Sequence, residues 1–103
     1  MGSRLRLVHL DASTAQRLSE LFGALSDPTR VRIIASLLGA ELSVRALADA
    51  IGSSESAVSH QLRLLRHLRL VRARKDGRQV FYTLDDDHIA ELFQRGLEHV
   101  HHG

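Results

Sequence analysis

A chain of 103 residues, 44% hydrophobic, with no cysteine or tryptophan and a formal net charge of +2, supports one domain with a modest aliphatic core and excludes disulfides, thiolate metal centres and thiol redox chemistry. No run reaches the length of a membrane span and no signal peptide is visible, so the expectation is a soluble cytoplasmic protein with no membrane partner. The charge is unevenly placed: seven Lys/Arg stand against only Glu55 and Asp76 between Ser54 and Leu84, whereas from Asp85 onward five acids and four histidines accompany the single base Arg95, which points to a polyanion at one pole and a cation at the other.

Residues 1–12 read as an extended N-terminal arm ahead of a single domain over 13–103. Ser13 and Gln16 have the spacing of a capping box and open a helix through about Leu25, with Ala15, Leu18, Phe22 and Leu25 as its apolar positions. Asp27-Pro28 restarts the chain as cap and first helical residue. The second helix turns Val31, Ile33, Ile34, Leu37 and Leu38 inward and ends at Gly39. Ser43 caps a short helix, Val44 to Ile51, which breaks at Gly52; after Ser53 and Ser54 another runs from about Glu55 to Leu68. Small Ala48 where two helices cross, Gly52 at the turn, and apolar Leu47, Ile51, Val58, Leu62 and Leu65 together predict a helix-turn-helix. In VRARKDGRQVFYTL, Val71 and Ala73, then Val80, Tyr82 and Leu84, alternate as strands do, and Asp76-Gly77 signals a type I′ hairpin. A hairpin directly after a recognition helix is a wing. The predicted architecture is therefore mainly α with a β-hairpin wing, a winged helix-turn-helix of four helices, two strands and a closing helix.

That closing stretch, DDDHIAELFQRGLEHVHH, repeats apolar residues at Ile89, Leu92, Phe93, Leu97 and Val100, the stripe of an amphipathic helix. It also carries four potential metal ligands, Asp86, His88, His99 and His102. Eleven residues separate His88 from His99, about 1100° of turn, so both imidazoles share a face; they are also about 16 Å apart in rise, too far for one ion. An antiparallel second copy crossing near Phe93 to Gly96 places His99 and His102 of one chain beside Asp86 and His88 of the other, twice. A homodimer with two intersubunit metal sites follows. Asp86 and His88 are about 200° apart on an ideal helix, so Asp86 belongs to an irregular first turn capped by Asp85 or Asp87, with Asp87 as a substitute ligand. Three imidazoles and a carboxylate without sulfur suit Zn(II), with Co(II) as its mimic. His9 or His101 could extend the shell for Ni(II) or Co(II), and a terminal helix that only dimerises and binds no metal is the alternative. No open coordination position with a general base beside it is evident, so no enzyme is expected.

The stretches LFGALSDPTRVRIIASLL, SSESAVSHQLRLLRHLRLV and RKDGRQVFYTL, followed by Asp86-x-His88 and His99-x-x-His102, resemble the second helix, recognition helix, wing and terminal sensing site of the ArsR/SmtB family of metal-sensing repressors. The resemblance covers nearly the whole chain. It implies a dimer through the first and last helices that binds an inverted-repeat operator on double-stranded DNA and releases it on binding metal, most simply Zn(II), derepressing metal efflux or storage genes. It implies that Val44, Ser56, Ser59 and His60 meet the major groove, assisted by Gln61 and Arg63, while Lys75 and Arg78 reach backbone or minor groove from the wing. It implies a relay from His99 to the backbone around Arg69. Two departures stand out. Ser43 and Arg45 occupy positions where members with a thiolate site carry cysteine, which disfavours arsenic, lead or cadmium sensing there, and Glu55 stands where relatives often have Gln.

Overall fold

A computed structural model describes residues 9–102; most of the expected arm therefore lies outside the described residues. In chain order the elements are α1 (Ala12–Ala24), α2 (Pro28–Ser36), β1 (Leu42–Ser43), α3 (Val44–Ile51), α4 (Glu55–His67), β2 (Val71–Asp76), β3 (Gln79–Leu84) and α5 (Asp87–His102). The winged helix-turn-helix expected from the pattern is the observed fold, with one strand more.

Capping sets most of the boundaries. Asp27 accepts from the Arg30 N–H at 3.0 Å with Pro28 in the first turn; the Ser43 and Ser54 hydroxyls accept from Ala46 and Ala57 at 3.1 Å each, satisfying amides that a helix start leaves orphaned. The expected Ser13–Gln16 box does not form. Asp11 caps α1 instead, accepting from Thr14 N–H at 2.7 Å, and that backbone bond holds its carboxyl below the usual range. A full negative charge at the positive end of the helix macrodipole outcompetes a hydroxyl. Gln16 pairs along the helix with Glu20.

Gly52, at φ 67°, takes the left-handed turn between α3 and α4, closed by Ser53 N–H to the Ala48 carbonyl at 3.0 Å. After α4 the chain reverses through Arg69, at φ 61°. Leu70 N–H bonds the Leu65 carbonyl at 2.9 Å, the wide bond of a Schellman-type helix end, and buried Leu70 packs in the same core as Leu65. This delivers Val71 directly into the core as the first residue of the wing.

β2 and β3 pair antiparallel from Val71↔Leu84 to Asp76↔Gln79. The two turn residues are therefore Gly77 and Arg78, not Asp76 and Gly77, and positive φ falls on Gly77 alone, which suits a type II′ turn rather than the expected I′. β1 was not expected. It pairs through Leu42↔Tyr82 and Ser43↔Phe81, giving the order β1-β3-β2. Two residues are too few for alternation to show.

The core is a single cluster: Ile33, Ile34 and Leu37 from α2; Leu47, Ala48 and Ile51 from α3; Val58, Leu62 and Leu65 from α4; and Leu70 and Val71 at the root of the wing, with Ala24 from α1. The outer helices contribute little to it. α1 buries only Ala24, and no residue of α5 is buried.

Candidate functional site

Two surfaces carry the predicted functional residues. The first is α5. Its start is capped by Asp86, whose Oδ1 accepts from Ile89 N–H at 3.1 Å; neither Asp85 nor Asp87 performs this role, and Asp85 N–H is instead bonded to the Leu70 carbonyl. The cap places Asp86 outside the helical register, which removes the angular conflict with His88. His88 Nδ1 lies 3.7 Å from Asp86 Oδ1, so a carboxylate and an imidazole stand together at the N-terminal end. His99 and His102 are at the other end, in the last turns. All four side chains are exposed, as are Asp87, His101 and His9. Among the described residues no three His, Asp or Glu side chains converge as a metal cluster; the four donors form two pairs separated by the length of α5. Oxygen and imidazole nitrogen are the donor types that a borderline divalent cation takes.

Between the pairs lies an apolar groove of about 420 Å³ formed by Phe22 and Leu25 of α1, Val31 of α2, and Leu92, Phe93, Gly96, Leu97 and Val100 of α5. Phe22 is 52% and Val100 71% exposed. A continuous apolar face bridging three helices is uncommon on a solitary subunit and marks an interaction surface.

The second surface comprises α3, α4 and the wing. Ser56, His60 and Arg63 are exposed along one side of α4, with Ser59 half-buried among them. Val44, the first residue of α3, lines a shallow groove with Ser43, Arg45, Glu55, Gln79 and Val80, so the starts of α3 and α4 meet the start of β3 there. Lys75 near the hairpin tip and Arg78 in its turn are both exposed. Gln61 stands apart: it is half-buried, and its Oε1 accepts from Arg30 Nε of α2 at 2.8 Å.

Arg74 makes a second unexpected connection. Its guanidinium grips Glu41 in a two-pronged pair at 2.8 and 2.7 Å, lies 3.7 Å from Asp76 and sits 5.2 Å from the Phe81 ring centre. The Arg74 hydrogen bonds hold the Glu41 carboxyl below its ordinary range, and Glu41 in turn raises the Arg74 pKa. This clasp joins the wing to the segment before β1. Neither it nor the Arg30–Gln61 bond left a trace in the sequence, since the partners are 33 and 31 residues apart with no periodic pattern linking them.

Residues 27–73 match the family described as bacterial regulatory proteins of the arsR family. The transcriptional repressor SmtB homolog of Synechocystis sp. is 49% identical over 86 residues, covering 84% of this chain and 65% of that protein's own length. The cadmium resistance transcriptional regulatory protein CadC homolog of Staphylococcus aureus is 44% identical over 84 residues, covering 80% and 69% respectively. The homodimeric winged helix-turn-helix DNA-binding domain of a Mycobacterium bovis protein superposes with a TM-score of 0.80 at 28% identity over 89% of each chain. These relatives are regulators of transcription, not enzymes, and no helix of this chain is long and apolar enough to cross a membrane among the described residues. The wing, the helix-turn-helix and the flanking helices α1 and α5 are thus those of a member of the ArsR/SmtB family, to which this chain belongs.

Proposed function

We propose that the protein is a metal-responsive transcriptional repressor that acts as a homodimer. The observation that carries this reading is the layout of α5: a pair of donors at each end, too far apart to meet within one chain, and an apolar face between them that nothing among the described residues covers. Packing α5 and α1 against the same face of a second copy, antiparallel, covers that surface by two-fold symmetry. It brings Asp86 and His88 of one chain beside His99 and His102 of the other, twice.

A divalent cation, Zn(II) by the donor set, supplies a positive centre that imidazoles and a carboxylate from both chains can share. Asp86 also caps the helix through Oδ1, so the carboxylate that would help hold the ion is already oriented by the start of α5. The remaining roles belong to the chain. Val44, Ser56, Ser59, His60 and Arg63 face the major groove, Lys75 and Arg78 the backbone or minor groove, and two copies read an inverted repeat. With the donors apart, the dimer holds the operator; with them drawn together, α5 selects a dimer shape whose recognition helices no longer match the groove spacing. His99 would pass this on through its second ring nitrogen to the backbone at Arg69, where the left-handed residue ends α4. Reciprocity then requires DNA to weaken metal binding by the same factor. His9 and His101 are exposed and support a second reading, a six-coordinate Ni(II) or Co(II) sensor that recruits them.

A mobility-shift titration tests both. A duplex enriched from a randomised pool by the chelator-treated protein should be released on adding the cognate ion among Zn(II), Ni(II) and Co(II). His99→Ala should retain the duplex and lose the release. Release unchanged in His99→Ala, or no effect of any ion on the wild type, contradicts the sensing mechanism.

A further inference from the structure

We infer that Arg30 is a positioning residue for the recognition helix: through Gln61 it sets the rotation of α4 about its own axis, and so the specificity of DNA recognition. The inference rests on the DNA-binding reading above. Apolar packing holds α4 against the core through Val58, Leu62 and Leu65, but such contacts are non-directional and tolerate small rolls and slides. A hydrogen bond does not. Among the described residues, the Arg30 Nε to Gln61 Oε1 contact at 2.8 Å is the one side-chain hydrogen bond that ties α4 to another element.

Its chemistry is one-directional. A guanidinium has donors and no acceptor, so Gln61 must present its oxygen to Arg30, and its amide is thereby oriented. The donor is charged, which makes the bond shorter and stronger than one between neutral groups. The backbone of Arg30 is anchored, because its N–H is bonded to the Asp27 cap at 3.0 Å in the first turn of α2. Gln61 lies roughly 140° around α4 from Ser56 and roughly 100° from His60, on the flank toward α2 rather than among the groove-facing residues. Reading base edges requires side chains held within about 0.5 Å and 10–20°. A roll of α4 moves Ser56, Ser59 and His60 together, so one bond on the flank controls the whole reading face.

The test is a double-mutant cycle of Arg30→Met, Gln61→Leu and the double variant. Each is titrated against the duplex enriched by the wild type and against a scrambled duplex of equal length, over a range of salt. Each single variant should lower the ratio of specific to non-specific affinity about tenfold, and the double variant should lose no more than either single. Losses that add in the double variant would mean that Gln61 touches DNA on its own account. A salt slope smaller by about one in Arg30→Met, with the ratio unchanged, would make Arg30 a phosphate contact. A ratio unchanged in all three variants would reduce the bond to a packing detail. Each of these three results overturns the inference. The ¹⁵N spectrum of the free protein gives an independent reading: the Arg30 Nε–H should be protected from exchange in the wild type and lose protection in Gln61→Leu. Protection in a wild-type protein that enriches no duplex would instead sink the DNA-binding reading, and the positioning role with it.

Discussion

Leu47 is fully buried where α3 meets the core shared with α2 and α4. Truncation there leaves a void that close-packed neighbours fill only in part. Leu47→Ala should therefore lose about 2–5 kcal/mol in denaturant-induced unfolding of the dimer, a large share of the stability of a small domain. The Glu41–Arg74 clasp makes a different demand. The folded-state pKa of Glu41 is depressed, chiefly by its hydrogen bonds to Arg74, so its contribution is present above the ordinary glutamate pKa and is lost as pH falls through the depressed value. Thermal unfolding of wild type and Glu41→Gln should differ at neutral pH and converge in acid. A difference that persists in strong acid would show that the clasp does not act through charge. Because both partners are substantially exposed, the difference should also shrink at high salt.

At the scale of elements, α5 contrasts with the rest of the chain. None of its sixteen residues is fully buried within the subunit, and Ile89 and Phe93 pack only partly against the core, so much of the apolar face of the helix depends on a partner surface. Leu97→Asp, placed in the middle of the apolar groove, should leave the helix-turn-helix and wing folded while sedimentation shifts from dimer to monomer. A dimer of wild-type affinity in this variant would place the interface elsewhere. The strength of the local signals decided what could be read from the sequence. Asp27-Pro28, Ser43, Gly52 and Ser54 each specify a cap or a left-handed turn through chemistry within four residues, and the helices they open start where expected, although α2 ends at Ser36, short of the expected stop at Gly39. Failures occurred where several local solutions compete. Asp11 displaced Ser13, Asp86 displaced its two acidic neighbours, and the wing turn moved one residue along to Gly77-Arg78. β1 and the bonds of Arg30 and Arg74 arise only once distant segments are packed together, and no periodicity encodes them.

For the molecule as a whole, the basic middle and the acidic, histidine-bearing end predicted two poles, and the fold places the exposed Lys75 and Arg78 on the wing and the donor pairs at either end of α5. In the proposed dimer the poles are coupled because each metal site is built from two chains, so ion binding reports on the relation between the subunits rather than on either alone. That division of ligands can be tested by complementation. One variant lacks Asp86 and His88, the other lacks His99 and His102, each residue replaced by alanine. Calorimetric titration with Zn(II) should find no tight site in either variant alone. After co-refolding, the mixed dimer should recover one tight site, formed by the intact first pair of one chain and the intact second pair of the other. Tight binding by either variant alone, or none regained on mixing, would contradict a site shared across the interface.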